Sequence, residues 1–303
     1  MKHHENHHHH HTSGRLFLSI LLNAMITIVE AAGGIFSGSL ALLSDAIHNL
    51  SDTFALIIAF AANKMGHRKP NARRTFGYKR LEILSAFINS SILTGLSIYL
   101  IYEAILRFLE PVTVKSGLMF FVAVIGLLGN LFSMLFLHKD SKQSLNVKAA
   151  YLHLLGDTLS SLAVIGGATL IYFFQIAWID PLLTILISIV IVIQAYGILR
   201  ESIDILMQST PNSIKLDEVK AVIEKHPQIR NVHHVHCWQM QDHDILFEAH
   251  IEITRDITVS ESNRLLSEIE HLLKEQFGIT HTTFQIEFGY CDDTEMIKQP
   301  ATN

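Results

Sequence analysis

The sequence has few charged residues and little cysteine. Charged side chains make up 17% of the 303 residues, against about 25% in an ordinary soluble domain. The two cysteines, Cys237 and Cys291, both fall in the more polar C-terminal third, so there is no basis for a disulfide framework. The net charge of −5 gives no reason to expect nucleic-acid binding. These deficits favour a chain that is largely embedded in a membrane.

Histidine is the residue in excess, with seven of 19 copies in the first eleven positions. The start, MKHHENHHHHHTSG, lacks the apolar core and the small-residue cleavage site of a signal peptide. Two interpretations of residues 1–14 stay open. They are an expression tag, or a disordered natural tail whose imidazoles hold metal weakly and exchange it fast.

Six segments are long and apolar enough to cross a bilayer, which takes about 20 residues. They lie at about 16–36, 40–62, 81–108, 117–137, 149–174 and 180–199. We therefore expect a membrane all-α bundle of six transmembrane helices over residues 15–204. Ionisable residues interrupt the second and fifth segments, and these interruptions need a reason because charge is expensive in hydrocarbon.

Loop charge predicts the orientation of the bundle. The loop after the second segment carries seven basic residues, and the loop after the fourth carries three: Lys64, Arg68, Lys69, Arg73, Arg74, Lys79 and Arg80, then Lys139, Lys142 and Lys148. The odd-numbered loops hold a single lysine between them. Because positive loops stay in the cytosol, both termini are expected there. The compact length and short loops favour a bacterial plasma (inner) membrane.

Residues 205–290 read as a cytosolic α+β domain in the order α-β-β-α-β, followed by a tail at 291–303. The pattern predicts helices at 214–226 and 259–277 and strands at 230–241, 244–254 and 281–288. A tight turn is expected at Asp242 and His243. Thr258 and Glu261 have the spacing of a capping box, which predicts the start of the second helix.

The second and fifth segments share one motif, His-x-x-x-Asp. His48 and Asp52 form it in the second segment, and His153 and Asp157 form it in the fifth. Residues four apart lie on one helix face, so two facing helices would offer four ligands in a tetrahedron, the geometry that Zn²⁺ favours. The competing interpretation is a pair of buried His–Asp hydrogen bonds without metal. Two copies of the motif inside hydrocarbon favour the metal site.

Glu30 and Asp45 are two further acidic residues in the first and second segments. Each is a candidate for a proton relay or for a partner that orients a histidine ligand. The alternative is that each lies near a membrane interface and is hydrated.

The two later strands of the C-terminal domain have one polar face each. Alternation turns three residues of the last strand towards the core: Phe284, Ile286 and Phe288. It puts His250 on the polar face in the middle strand, and His281 and Glu287 on that face in the last strand. These three side chains are candidate metal ligands, although a solvated sheet face has the same pattern.

The first strand of the domain contains the run HHVHCW. Alternation does not decide whether His233, or instead the pair His234 and His236, joins the polar face. Cys237 and Trp238 are interpreted as packing residues.

With these residues identified, the chain resembles the cation diffusion facilitator family over about residues 15–290. The stretches that carry the resemblance are SGSLALLSDAIHNLSD, FGYKRLEILSAFINS, YLHLLGDTLSSL, VHHVHCW and THTTFQIE. The resemblance implies six spans, a ferredoxin-like cytosolic domain, a homodimer, and metal export coupled to proton entry.

The resemblance assigns the family's site residues to matching positions of this chain. Histidine together with aspartate in both spans resembles the zinc and cadmium carriers of the family. The transport site falls on His48, Asp52, His153 and Asp157, and the cytosolic ligands fall on His233, His250, His281 and Glu287. A further loop site found in some members is expected to be absent, because Arg74 and Tyr78 occupy its positions.

The sequence therefore predicts a Zn²⁺/H⁺ antiporter that exports zinc, or cadmium or cobalt, and also binds zinc in its cytosolic domain. An intramembrane metalloenzyme is disfavoured because four protein ligands leave no open coordination position. A channel is disfavoured because a tight tetrahedral site releases ions slowly. The main alternative is a membrane-bound metal sensor, which would bind metal without transporting it.

Overall fold

The computed structural model describes residues 9–66, 70–138, 145–241, 244–289 and 295–297. The chain divides into two compact units. The first comprises Met1–Ala61 and Ser85–Leu199, and the second comprises Ala62–Leu84 and Arg200–Asn303. The turn predicted at Asp242 and His243 lies outside the described residues.

Six long helices make up the N-terminal two thirds of the chain. They are α1 (His9–Ser37), α2 (Leu40–Gly66), α3 (Leu81–Leu109), α4 (Ser116–His138), α5 (Leu145–Phe174) and α6 (Ile179–Leu206). Of the described residues, four segments are long and apolar enough to cross a membrane: Leu81–Leu109, Ser116–Leu135, Leu154–Phe174 and Ile179–Leu206. Helix α1 contributes a shorter apolar stretch, Leu21–Ser37. Helix α2 carries Asp45, His48 and Asp52 inside its apolar sequence.

Helices α1 and α4 approach closely because glycines line their contact. A Cβ atom on Gly33 would lie 2.6 Å from the Val122 methyl carbons, and one on Gly129 would overlap the side chain of Ile26. Small residues let helix backbones approach in a membrane, where helices associate by close packing rather than by the hydrophobic effect. The contact brings Gly126 of α4 against the carboxyl group of Glu30.

The start of α2 is held by a carboxylate from another helix. Asp180, at the start of α6, is fully buried. It accepts hydrogen bonds from the Ser39 hydroxyl and from the backbone N–H groups of Leu40 (2.9 Å) and Ala41 (3.3 Å). The first N–H groups of a helix have no partner within the helix, so this contact satisfies them and suits the helix dipole. Arg107 lies 4.0 Å from the same carboxylate.

The second unit contains the predicted α-β-β-α-β order. Its elements are α7 (Leu216–Ile223), β1 (Ile229–Gln241), β2 (Asp244–Ile253), α8 (Val259–Phe277) and β3 (Ile279–Glu287). The sheet order is β1-β2-β3, with β1 and β2 antiparallel and β2 and β3 parallel. Helix α7 is shorter than predicted, and it ends before Pro227, which disfavours helical backbone in the preceding residue.

Helix α8 begins and ends as its sequence specifies. The Thr258 side chain accepts from the Glu261 N–H at 3.3 Å, and Glu261 accepts from the Thr258 N–H at 2.9 Å. The Glu261 carboxylate accepts hydrogen bonds from the Thr258 backbone N–H and from the Thr258 hydroxyl, and these two bonds lower the pKa of that carboxyl. Gly278 ends the helix in the left-handed region, at φ 68°. The capping box predicted from the sequence is confirmed.

The core of this unit forms between the sheet and the two helices. The alternating apolar residues of β2 are all buried in it: Ile245, Phe247, Ala249, Ile251 and Ile253. Cys237 is buried there too, and burial raises the pKa of its thiol to about 11. Phe288 was expected to face this core, but that prediction is wrong. It lies one residue beyond β3 and is 53% exposed.

Replacing Phe247 with Ala tests this core. The ring is 2% exposed, so its loss leaves a cavity. We expect the unfolding free energy of the domain to fall by about 3–5 kcal/mol. The measurement is denaturant unfolding of the full chain in detergent, followed by Trp238 fluorescence in a Trp178→Phe background. The control Phe288→Ala should change stability by less than about 0.5 kcal/mol. Equal effects of both changes would contradict the assignment of the core.

Candidate metal centres

Helices α2 and α5 bring an imidazole and two carboxylates together inside the helical bundle. His48 Nε2 lies 3.6 Å from Asp52 Oδ2 on its own helix and 3.5 Å from Asp157 Oδ1 on α5. In a tetrahedral zinc site with bonds of about 2.1 Å, neighbouring ligand atoms stand about 3.4 Å apart. Both measured distances therefore match an edge of such a tetrahedron. Helices α2 and α5 therefore face each other at this point.

His153 is the fourth residue of the predicted set. It lies on α5, four residues before Asp157 and so on the same helix face. Its side chain lies outside the part of the chain that the structure describes. The structure thus brings together three of the four residues, and the role of His153 stays a prediction.

The site is enclosed by protein on one side and borders a cavity on the other. The Asp157 side chain is 4% exposed, and those of His48 and Asp52 are 14% and 26% exposed. A cavity of about 450 Å³ adjoins His48 and Asp157, and Ser160 and Gln194 contribute polar atoms to its lining. A site that is buried yet reached by a cavity can exchange an ion without unfolding of the bundle.

Ser160 and Gln194, which the sequence patterns did not single out, line the cavity beside this site. Ser160 lies on α5 and donates a hydrogen bond of 2.8 Å to Asp45 Oδ1 on α2. Asp45 is 2% exposed, so the structure encloses it in the protein rather than at a hydrated interface. Gln194 lies on α6 within an otherwise apolar run. A polar side chain at such a position is a signal that could have identified it.

Glu30, on α1, contacts α2 at Asn49. It is fully buried, and its Oε2 accepts a hydrogen bond of 2.8 Å from Asn49 Nδ2. Asn49 follows His48 directly, and successive helix residues point about 100° apart. Glu30 is therefore enclosed by α1, α2 and α4.

A second cluster of ligand types lies on the sheet of the other unit. Glu287 on β3 lies 3.2 Å from His233 Nε2 on β1 and 2.8 Å from His250 Nδ1 on β2. One ligand atom from each residue lies within 4.8 Å of the other two. His233 and Glu287 are buried, so a metal ion bound by these three side chains would be shielded from solvent.

A β-bulge explains why alternation could not choose among the first-strand histidines. His233 pairs with His250 and His236 with Glu248, so β1 has one extra residue between these pairs. His234 occupies the left-handed region, at φ 52°. Its ring lies 4.5 Å from that of His250 and 5.2 Å from that of His236, centre to centre. The bulge therefore puts all three histidines on the polar face.

His281 lies apart from this cluster. The parallel register of β2 and β3 sets it opposite Leu246, whereas His250 stands opposite Gln285. Four residues of strand separate the two positions, or about 13 Å. His281 is exposed, and within one chain the structure does not bring it to Glu287.

The loop positions Arg74 and Tyr78 contact each other. The Arg74 guanidinium lies 4.4 Å from the centre of the Tyr78 ring. This is a cation–π contact. The expected absence of a metal site in this loop stays a prediction.

The fold and these clusters define a class of protein. Long apolar helices enclose an imidazole and carboxylates at a shared site, and an attached polar domain carries a second cluster of ligand types. That combination defines a membrane transporter of metal cations.

The chain belongs to the cation efflux family. Residues 16–207 match the family model described as the cation efflux transmembrane domain. Residues 211–288 match the model described as the cytoplasmic domain of cation efflux proteins. This is a family of multi-pass membrane transporters and not a class of enzymes.

Several characterised bacterial proteins resemble the chain over most of its length. The cadmium, cobalt and zinc/H(+)-K(+) antiporter of Bacillus subtilis is 39% identical over 288 residues, which cover 94% of this chain and 92% of that protein. Zinc transporter ZitB of Pectobacterium atrosepticum is 38% identical, with 97% and 91% covered. Metal cation efflux system protein CzcD of Cupriavidus metallidurans is 38% identical, with 92% and 88% covered.

The geometry of the sheet predicts which histidine matters for cytosolic metal binding. Replacing His250 with Ala should weaken zinc binding at this cluster by at least about 100-fold, because the change removes a ligand. His281→Ala should change it by less than about 3-fold, since that side chain lies about 13 Å along the sheet. Zinc titration of the purified full chain, carried out in an Asp157→Ala background to remove the membrane site, makes the comparison. Equal weakening by both changes would show that His281 is also a ligand.

Proposed function

We propose that this protein exports zinc from the cytosol across the bacterial plasma membrane in exchange for protons. The observation that carries the proposal is the set of distances around His48 Nε2, which lies 3.5–3.6 Å from carboxylate oxygens on two different helices. His153 completes the set as the fourth ligand. The names of the relatives agree, since they refer to zinc transport and to cadmium, cobalt and zinc antiport.

Proton coupling follows from the chemistry of the ligands. Histidine must be neutral and aspartate ionised to bind zinc, so protons compete with the metal for the same atoms. In an inward-facing state, cytosolic zinc would bind His48, Asp52, His153 and Asp157. In an outward-facing state, protons would displace it. Histidine suits this exchange because it titrates near neutral pH.

The proposed topology has six spans with both termini in the cytosol. Four apolar helices and the apolar Leu21–Ser37 stretch of α1 support it. Helix α2 would be the remaining span, with Asp45 and His48 turned towards α5 rather than towards lipid. In this scheme residues 15–204 form the membrane domain and residues 205–290 form a cytosolic ferredoxin-like domain. The αββαβ order and the mixed sheet support that assignment.

The cytosolic domain is proposed to bind zinc through His233, His250 and Glu287 and to join two copies of the chain in a homodimer. The dimer follows from family membership. Metal at this face would draw two domains together and raise transport when cytosolic zinc is high. Unchanged zinc dependence of transport after replacing His250 and His281 with Ala would remove this regulatory role.

Transport by purified protein in liposomes tests the proposal. The liposomes contain a zinc-sensitive dye, and a pH gradient is imposed across their membrane. We expect zinc uptake that follows the proton gradient in the wild type and falls by at least about 100-fold in Asp157→Ala, because a ligand is lost. The control Glu103→Gln removes a carboxylate that pairs with Arg107 at 3.5 Å, and it should transport as the wild type does.

Two results would contradict export through this site. Equal uptake by the wild type and Asp157→Ala would show that zinc transport does not depend on the cluster around His48. A lack of uptake in both, with zinc still bound by the cytosolic domain, would favour a membrane-bound sensor that binds metal without moving it.

A further inference from the structure

Glu295 and Met296, called the C-terminal segment below, contact the sheet of the second unit. Strand β1 is the outermost strand of the order β1-β2-β3 and pairs with β2 along one edge. The backbone N–H of His234 donates to the Glu295 carbonyl at 3.3 Å, and the N–H of Val235 donates to the Met296 carbonyl at 2.8 Å. These two hydrogen bonds join the end of the chain to the strand that carries the histidine run.

The β-bulge is what makes this pair of hydrogen bonds possible. In a regular strand, successive N–H groups point to opposite edges, so a neighbouring segment accepts from every second residue. His234 and Val235 are successive residues, yet they donate to successive carbonyls. His234 is in the left-handed region at φ 52°, and the pairing with β2 is irregular here. The bulge therefore directs both N–H groups towards the C-terminal segment.

An apolar contact fixes the segment in place. The Met296 side chain is partly buried and packs against the core of the second unit. Val235, which donates to the Met296 carbonyl, is itself buried in that core. Ile297, the next residue, is 52% exposed. The segment is thus held on the bulge by two backbone hydrogen bonds and one packed side chain.

The same bulge brings candidate metal ligands together. The ring of His234 lies 4.5 Å from that of His250, and the ring of His233 lies 5.5 Å from it, centre to centre. His233 Nε2 is also 3.2 Å from Glu287. If β1 returned to regular alternation, its two successive histidines would point to opposite faces of the sheet. The cluster therefore depends on a backbone conformation that is unfavourable in isolation, because a non-glycine residue in the left-handed region persists only where its surroundings determine it.

We propose that the C-terminal segment positions the metal ligands of the sheet, and that docking of the segment and binding of the metal strengthen each other. The segment contacts the two residues of the bulge and so favours the conformation that the cluster requires. Because coupling between two binding events is reciprocal, a metal ion on the cluster also favours the docked segment. The metal, zinc, rests on the proposed function, whereas the docking is seen in the structure.

This coupling gives the end of the chain a role in metal sensing. When zinc is scarce, the segment leaves β1 more often, and the bulge relaxes in a larger fraction of molecules. When zinc saturates the cluster, the segment stays docked. The C-terminal end therefore changes its exposure with the occupancy of a cluster to which it contributes no ligand.

Zinc titration of the purified full chain tests the first half of the coupling, in an Asp157→Ala background that removes the membrane site. Met296→Asp should weaken zinc binding by about 10-fold, because a charged group cannot occupy the packed position and the bulge relaxes without the segment. Met296→Leu restores an apolar side chain and should bind as the unaltered tail does. The matched control Ile297→Asp adds the same charge at an exposed neighbour and should stay within about 2-fold.

Digestion of the unaltered tail tests the second half. A serine carboxypeptidase, which needs no metal, trims the same Asp157→Ala protein in a chelator and in saturating zinc, and mass spectrometry follows the removal of Met296. Zinc should slow this removal by about 10-fold, because cleavage follows the population of the undocked segment. His250→Ala removes a ligand and should abolish the protection. The digestion decides the matter even if Met296→Asp does not fold.

The possible outcomes separate this inference from the proposed function. Unchanged zinc affinity in Met296→Asp, or digestion that zinc does not slow, overturns the coupling. A lower melting temperature of Met296→Asp without a change in zinc affinity also overturns it, because the segment would then be structural only. If the protein with Asp157→Ala and an intact tail binds no zinc at all, the proposed cytosolic site fails. If it binds zinc with no dependence on the segment, this inference alone fails.

Discussion

The cost of placing charge in hydrocarbon governs the structure of the membrane part. Each ionisable side chain near the bilayer centre costs at least about 2.5 kcal/mol unless a partner offsets it. The chain satisfies this constraint by pairing polar groups across helices rather than by exposing them. His48 faces Asp157, Asp45 accepts from Ser160, and Glu30 accepts from Asn49. These contacts join α2 to α5 and to α1, so the same residues that need partners also fix which helices are neighbours.

Helix α2 is consequently the element on which the bundle depends. Asp180 of α6 accepts a hydrogen bond from the backbone N–H of Leu40 at the start of α2. The hydroxyl oxygens of Ser44 on α2 and Ser188 on α6 lie 3.0 Å apart. A helix with polar partners on several faces cannot rotate or slide freely, because each displacement would leave buried groups unpaired. A conformational change must therefore replace one complete set of partners by another. That requirement favours two discrete states over gradual motion, which is what alternating access needs.

Much of the fold follows from local patterns, because those patterns reflect local physics. The alternation in β2 and the capping box at Thr258 each arise from contacts within a few residues, and both are present. Helix geometry likewise sets the spacing of His48 and Asp52, and His48 lies against Asp157. The unpredicted features depend on tertiary contacts. The register between β2 and β3 separates His281 from His250, and Phe288 lies just beyond the strand that would have buried it. The bulge at His234 requires a left-handed backbone conformation, which the sequence around His234 does not predict.

That bulge bears on the nature of the cytosolic cluster. A non-glycine residue in the left-handed region costs about 1–2 kcal/mol, so it persists only where surrounding contacts determine it. A solvated sheet face does not require this strained backbone conformation, because regular alternation already gives each strand one polar face. Here the extra residue turns both His233 and His234 towards the face that carries His250, while Val232 and Val235 remain in the core. The strained backbone thus gathers imidazoles around a buried glutamate, which is the arrangement that the proposed metal binding requires.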